Sequence, residues 1–541
     1  MPLIHPVEES IIPAETKPMR ILLVVPPYAL EEFPTPPLSL GYLAANLIAN
    51  GFEVEVLDLL TSKPSPAKIR RKLEKYQPQA VGITCVTLNF LPAARILKTC
   101  KEFDPGITTV IGGPHVSFAV EDTFKRAPWI DVVAIGEGDI TMVELASALQ
   151  RGTDIGQING IAFRRNGKIV ITERRSLIES LDSLPVPARD LLPLSRYEAL
   201  GIACSVISSR GCPYGCIFCT TPRMFGRKVR FRQPLLVVDE IEVIYRKYGF
   251  SQINVVDDTF TLNHPHATEL CRELIRRNLP IKWSIFSRVD TLTAELLDLM
   301  REAGCTYMLF GVESGNREVL NNIKKGITPE KVRNGVKLAT AAGIGSFASF
   351  IMGLPGETPE RARETMALAE ELSERWGTQY GFHYLSPFPG TELSERAKEL
   401  GIRILTKNWN RYNANEPITE ASEGGLAAVR EVVAKYDRGI AMAWEIIGRK
   451  AATGDADSID RLQKKQTGSF VWRLLQEDAI EKLGKVRGTA TPQQAQSRLI
   501  EVVAQKLNTP LEVASQEISR LSQNGWLQPE PSSDGFIWHW A

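Results

Sequence analysis

Long apolar runs are absent from this sequence, and no stretch approaches the ~20 consecutive apolar residues of a membrane-spanning helix. Acids and prolines interrupt Met1 to Arg20, so no signal-peptide core is expected there. Charge of one sign is missing too: 64 Lys and Arg against 63 Asp and Glu leave a formal net charge of +1. That balance excludes a whole-molecule attraction to nucleic acid or to an anionic membrane, and makes a small molecule the default partner. Cysteine is scarce. Eight in 541 residues cannot staple a chain of this length, which excludes a disulfide scaffold and points to a reducing compartment, the cytoplasm. What is present is 43% hydrophobic and 23% charged residues, enough apolar material for roughly three domain cores.

Apolar periodicity divides the chain. After a tail, 1–18, the run Arg20-Ile-Leu-Leu-Val-Val reads as a buried parallel strand ending at Pro26-Pro27-Tyr28. Helical stretches then alternate with strands at Phe52–Asp58, Ala80–Cys85, Thr108–Gly113 and Val132–Ile135, which predicts a doubly wound α/β sheet over 19–150. Residues 151–197 read as a hairpin turning at Asn166-Gly167, followed by a linker at Leu184-Pro-Val-Pro-Ala-Arg. A second β/α series has strands near Ser205, Gln252, Lys282, Tyr307, Ser346 and Gln379, predicting a partial (β/α)6 barrel with a helical extension over 198–440. The remainder, 441–541, reads as a small, mostly helical, winged-helix-like unit ending in the strand Gly535-Phe-Ile-Trp-His-Trp. Its second helix has no basic cluster, so packing or partner binding is favoured over DNA binding.

Three cysteines, Cys212, Cys216 and Cys219, share one short loop after the first strand of the second series. A four-iron cluster normally takes four thiolates, so three with no fourth nearby leave one iron open to another ligand. Gly211 and Gly215 permit the turns such a loop requires. Structural zinc would want a complementary cysteine pair, and none is present. Cys85, Cys100, Cys204, Cys271 and Cys305 lack metal spacing and read as core thiols.

The segment Cys212-Pro-Tyr-Gly-Cys216-Ile-Phe218-Cys219 resembles the C-x3-C-x-aromatic-C signature of the radical S-adenosylmethionine (SAM) superfamily, in the expected strand-loop context. The resemblance implies a [4Fe-4S] cluster on Cys212, Cys216 and Cys219 whose open iron is chelated by SAM. One-electron reduction by a flavodoxin- or ferredoxin-type donor would then cleave SAM to a 5′-deoxyadenosyl radical. Phe218 would lie near the adenine, and Asp257 or Asp258 would meet the SAM ammonium unless they merely start a helix. Arg288 would bind the SAM carboxylate or ribose, or else pair with Asp290. Glu313 and Ser314 suit ribose or methionine contacts, and Gly353, in Ile351-Met-Gly-Leu-Pro-Gly-Glu357, marks the adenine-contacting strand. His383 and Tyr384 close the last strand as candidate catalytic residues facing substrate, a satisfied strand-end histidine being the alternative.

In the first unit, the turn after the opening strand has no G-x-G-x-x-G, which demotes nicotinamide and flavin. Pro37, Leu38 and Gly41, Gly112, Gly113 and His115, and Gly136 and Glu137 instead resemble the cobalamin (B12)-binding domain fused to radical SAM cores. None of His5, His115, His264, His266, His383 and His539 follows an Asp by two positions, so the Asp-x-His-x-x-Gly cobalt-ligating motif is missing. His115 would touch the corrin or its nucleotide tail, or sit in the loop capped by Pro114.

Together these resemblances imply a cobalamin-dependent radical SAM methyltransferase acting on an unactivated carbon of a small-molecule, lipid or tetrapyrrole substrate. The alternative within the same family is oxidative cyclisation, as in anaerobic Mg-protoporphyrin cyclases, or carbon–carbon coupling. A third reading, an iron–sulfur redox sensor, accounts for the cysteines but not for the ordered strand-end motifs.

Overall fold

The opening unit is a sheet ordered β2-β1-β3-β4-β5-β6-β7. Its strands are β1 (Arg20–Val25), β2 (Glu53–Asp58), β3 (Ala80–Thr84), β4 (Thr108–Gly112), β5 (Val132–Ala134), β6 (Ile161–Arg165) and β7 (Lys168–Ile171). The first five run parallel, and β6 and β7 add an antiparallel hairpin beside β5. Helices cover both faces, which is why Ile21 to Val25 is buried without alternation. Strand order reverses at β1 and β3, so a crevice opens there above the carboxyl ends. The computed structural model describes residues 17–27, 34–421 and 425–541; Tyr28, His5 and most of the tail lie outside the described residues.

The hairpin therefore extends the first sheet rather than standing apart from it. The linker after it is pinned as well: Ala188 N–H donates to the Gly41 carbonyl at 2.9 Å, and Arg189, 3% exposed, pairs with Glu240 at 2.7 Å.

The second sheet is ordered β15-β14-β13-β12-β11-β8, wholly parallel and open between its ends. Its strands are β8 (Cys204–Val206), β11 (Gln252–Val255), β12 (Lys282–Ser287), β13 (Cys305–Glu313), β14 (Gly345–Met352) and β15 (Gln379–Tyr384). A short ribbon, β9 (Ser209–Arg210) with β10 (Arg230–Phe231), follows β8. The predicted partial barrel is present. Along each strand one set, including Trp283, Ile285, Met308, Phe310 and Phe350, is buried in the core under the helices. The alternating set lies in register on the inner face: Asn254, Ser284 and Tyr307; Phe286, Leu309 and Phe347; then Gly311, Ser349 and Gly381. Phe286 is 38% exposed on this face, the mark of a lumen left open for ligands rather than packed shut.

After the ribbon β16 (Ile402–Ile404) and β17 (Thr419–Ala421), the helix Gly425–Ala452 continues unbroken through residue 440, where the sequence reading places a boundary. It lays Tyr436 against Phe382 and Tyr380 of the open edge strand β15. The terminal unit has helices Pro492–Lys506 and Leu511–Gln523 and a sheet of β18 (Lys485–Arg487), β19 (Leu527–Ser532) and β20 (Gly535–Trp540) in the order β18-β20-β19. It packs against both larger units: Trp526 donates to Glu198 at 2.7 Å, and Lys68 pairs with Asp478 at 2.7 Å. The one base on its second helix, Arg520, is engaged by Glu517 and the Ala199 carbonyl. Among the described residues no helix is long and apolar enough to cross a membrane.

Candidate functional site

Positive φ at Gly211 (108°) starts the cysteine loop, where a Cβ would meet the Lys228 and Gly226 carbonyls at 3.0 and 3.2 Å. Cys212 N–H then donates to the Gly226 carbonyl, and Ile217 N–H to the Ile323 carbonyl, so both ends of the loop are tied by backbone. All three cysteines remain partly exposed, whereas Cys85, Cys100, Cys204, Cys271 and Cys305 are buried, as read from their spacing. Burial pushes the Cys212 and Cys216 thiols up from the usual range; at Cys216 the charges of Lys325 and Arg288 oppose it. Among the described residues no three His, Cys, Asp or Glu side chains converge as a single-ion site. A loop that gives one thiolate to each of three irons has no need of such convergence.

Charged groups crowd the lumen side of this loop. Arg288 pairs with Asp290 at 2.9 Å, donates to the Lys325 carbonyl, and lays its guanidinium 3.7 Å from the centre of the Tyr214 ring. Lys325 pairs with Glu313 at 2.7 Å, both side chains 8% exposed, and its ammonium lies 5.8 Å from the Phe218 ring centre. Glu313 takes a left-handed φ of 72° where the β13–β14 register slips, a strained conformation held at a strand end. Phe218, Arg288 and Glu313 thus gather beside the thiols. Lys325 and Tyr214 join them unforeseen, the first because it lies 12 residues beyond Glu313, across a helix.

A cavity of about 700 Å³ opens between the carboxyl ends of the two sheets. It descends between the first sheet and the helices Leu38–Ala49 and Gly138–Arg151, because Gly82, Gly112 and Ala134 stand where bulky strand residues would fill the slot. Gly82 went unremarked in the sequence, although a glycine inside a strand marks a close approach. At the rim, Gly113 has φ 104°, and a Cβ there would sit 2.4 Å from the Cys85 carbonyl oxygen. Pro37, Leu38, Gly112, Gly113, Gly136 and Glu137 all line the cavity, and Asp258 reaches it from the barrel. Asp258 also accepts from Thr221, two residues past Cys219, and burial raises its carboxyl above the ordinary range. Cavity and cysteine loop therefore share a wall.

Buried ion pairs weld that wall. Glu137, 3% exposed at its side chain, accepts from both terminal nitrogens of Arg230 at 2.9 Å, from Arg210 and from Ile178 N–H. Arg210, next to the cysteine loop, also pairs with Asp139 at 2.9 Å and stacks over Tyr42. Glu240 likewise holds Arg189 and Arg232. So Glu137, expected only as a corrinoid contact, is also the main interdomain carboxylate.

Six expected contacts lie elsewhere. Gly41 faces the linker, where its Cβ would meet Pro187 at 3.0 Å, and it does not line the cavity. Asp257 is buried and accepts from the backbone and hydroxyl groups of both Ser208 and Ser209, which occupies its carboxylate in holding the end of β8. Ser314 is fully buried against Thr365. Gly353 and Tyr384 belong to a small cavity toward the helix Gly425–Ala452; Tyr384 shares the outer register with Met352, and period-two alternation turns it from the lumen. His383, by contrast, lies beside Ile351 on the inner face, and its side chain has no hydrogen bond or ion pair among the described residues.

His115 is the sixth. It is 1% exposed, packed 4.7 Å from Phe90 and 5.1 Å from Trp409 by ring centres, with Nδ1 on Thr87 and Nε2 unpartnered. Burial lowers its pKa to about 4, while Asp122 raises it and Arg126 lowers it. The neutral ring is therefore favoured in the fold, and the unfolded chain takes up the proton first as pH falls below about 6.5. Stability is present above that pH and is lost toward pH 4, by roughly 2 kcal/mol at pH 5. Urea unfolding at pH 7.5 and 5 is expected to show that much less acid sensitivity in His115→Gln than in the wild type; equal sensitivity would refute the buried neutral ring.

The Radical SAM superfamily profile matches residues 206–369, and the B12 binding domain profile matches residues 31–146. The chain is 36% identical over 408 residues to the uncharacterized methyltransferase PH0819 of Pyrococcus horikoshii, covering 74% of this chain and 88% of that one. It is 34% identical over 414 residues to the anaerobic magnesium-protoporphyrin IX monomethyl ester cyclase of Rubrivivax gelatinosus, covering 74% and 73%. Its fold matches the radical S-adenosylmethionine methyltransferase TsrM from Kitasatospora setae, with cobalamin and a [4Fe-4S] cluster bound, at a TM-score of 0.63 and 23% identity, over 77% of this chain and 91% of that one.

Proposed function

Because this chain belongs to the cobalamin-binding radical SAM enzymes, we propose that it methylates an unactivated carbon of a small-molecule substrate held in the barrel lumen. Its cofactors are a [4Fe-4S] cluster, SAM and cobalamin. Bound there, the cluster and SAM supply hydrogen-atom abstraction from the substrate, and the corrinoid supplies the methyl group. The observation that carries this reading is the shared wall, with Asp258 and Arg210 each touching both the cysteine-loop region and the cavity. Methyl transfer needs donor, radical source and substrate within reach of one another, and a common wall is what that requires.

Cys212, Cys216 and Cys219 would hold the cluster. Lys325 and Arg288 would meet the SAM carboxylate, Glu313 its ribose or ammonium, and Phe218 the adenine. The glycine-carved slot would receive the corrinoid tail, with Gly113 and Gly136 letting the backbone approach the ring. His383 would face the substrate. The lumen presents Phe286, Leu309 and Phe347 above Asn254, Ser284 and Tyr307, which suits a largely uncharged molecule such as a tetrapyrrole or lipid. A flavodoxin- or ferredoxin-type protein would supply the electron, and the free thiols suit the cytoplasm.

Anaerobic reconstitution with iron, sulfide, hydroxocobalamin and a reductant, followed by mass spectrometry of the SAM products, tests the reading. Methylation yields both 5′-deoxyadenosine and S-adenosylhomocysteine in the presence of substrate. The similarity to a cyclase favours a second outcome, ring closure, which yields 5′-deoxyadenosine without S-adenosylhomocysteine.

A further inference from the structure

The cysteine loop has three sides. Arg288, Tyr214 and Lys325 fill the lumen side, and the Arg210 seam joins another to the cavity. On the third, Pro213 is exposed and a shallow groove of about 590 Å³ runs past it, walled by Val229, Phe231, Leu262 and Pro265. Arg227 lines this groove, its guanidinium 3.7 Å from where a Cβ of Gly215 would stand. Gly226 and Lys228 flank it; the Gly226 carbonyl accepts from Cys212 N–H, and the Lys228 carbonyl closes in where a Cβ of Gly211 would stand.

Most bases nearby are neutralised: Arg223 by Glu395, Arg175 by Glu144, Arg230 by Glu137. Arg227 and Lys228 are both exposed and make no ion pair among the described residues. In a chain of net charge +1, two uncompensated bases on the segment packed against the cysteine loop are a local feature. Beside them the groove is apolar enough to be desolvated by a partner, and its one histidine, His264, bonds the Thr291 carbonyl. Apolar contact with a basic rim is complementary to an acidic protein surface, and such rim charges act chiefly on association rate.

We propose that this groove, rimmed by Arg227 and Lys228, is the docking surface for an acidic one-electron carrier protein that reduces the cluster. The proposal rests on the radical SAM reading above. One electron leaves the carrier, which is oxidised by one equivalent, and enters the cluster through the loop of Cys212 to Cys219; no atom or proton is transferred in this step. The approach leaves cavity and lumen closed to the carrier, so corrinoid and substrate need not be displaced.

The test compares reconstituted wild type with Arg227→Glu/Lys228→Glu, using a recombinant flavodoxin hydroquinone or dithionite as reductant, with stopped-flow absorbance of the cluster and direct titration of flavodoxin binding. Charge reversal is expected to slow flavodoxin-driven reduction about tenfold or more at low salt, to weaken binding in parallel, and to flatten the salt dependence. Reduction by dithionite and iron content should be unchanged. Arg227→Gln/Lys228→Gln should fall between. Flavodoxin rates equal to wild type would overturn the proposal, as would a parallel fall in dithionite reduction, which would assign the two bases to loop support. Wild type that cleaves no SAM with dithionite would instead defeat the radical SAM reading itself.

Discussion

Cys216→Ala is expected to abolish reductive SAM cleavage and to lower bound iron and sulfide sharply, while Cys85→Ala retains both. The contrast follows from environment. Cys216 is partly exposed on the cysteine loop, and although burial raises its thiol, the charges of Lys325 and Arg288 beside it oppose that rise and favour the thiolate, the metal-binding form. Cys85 is buried in the first unit, apart from the cysteine loop, and desolvation pushes its thiol far up, so it has no part in holding the cluster. Iron and sulfide analysis, the visible charge-transfer bands and 5′-deoxyadenosine yield provide the readout. A Cys216→Ala protein that binds the full complement of iron would overturn the ligand assignment.

Local spacing made the cysteine loop legible, since Cys212, Cys216 and Cys219 fit on one turn of backbone whatever surrounds them. The barrel strands were legible for a similar reason: apolar runs such as Tyr307 to Val312 carry their own signature. Facing was harder. Gly41 and His115 sit beside true cavity residues in sequence, yet a single helical step directs them to the linker and to Trp409. Tyr384 differs from His383 by one position, which in a strand is the difference between lumen and helix. Ser314 and Asp257 are the right kind of residue at the right strand ends, but nearby donors and acceptors satisfy them first.

Interdomain chemistry was beyond local pattern altogether. Arg210 meets Asp139 across 71 positions, and Arg230 meets Glu137 across 93. Nothing in either segment announces the other. Such pairs are costly to desolvate and more costly to break singly, on the order of 3–5 kcal/mol when one partner is removed. Their value here lies in geometry: the carboxylates sit on the cavity-lining segment Gly136–Asp139, where the helix Gly138–Arg151 begins, and Arg210 begins the cysteine loop. Motion of either segment would drag the other.

Ala134→Phe is expected to remove corrinoid retention and methylation while leaving SAM cleavage by the dithionite-reduced protein within about twofold of wild type, since the ring fills the slot at the first sheet and touches none of the cluster ligands. Ala134 ends β5 beside Gly112 at the end of β4: a Cβ on Gly112 would lie 3.5 Å from that of Ala134, and both residues line the slot. A phenyl ring added there enters apolar space beside Leu23 and Met142 rather than a filled core, so the fold should accept it. Met142 and Leu23 already approach Gly82, which shows how narrow the slot is at its base. The cysteine loop lies beyond the Glu137–Arg230 seam and keeps its own backbone ties, so its chemistry should persist without the corrinoid. Visible spectra after gel filtration, beside 5′-deoxyadenosine yield, read the two functions separately. Stoichiometric corrinoid on Ala134→Phe would move the binding site out of the slot, and loss of SAM cleavage with normal iron content would show the two sites to be inseparable.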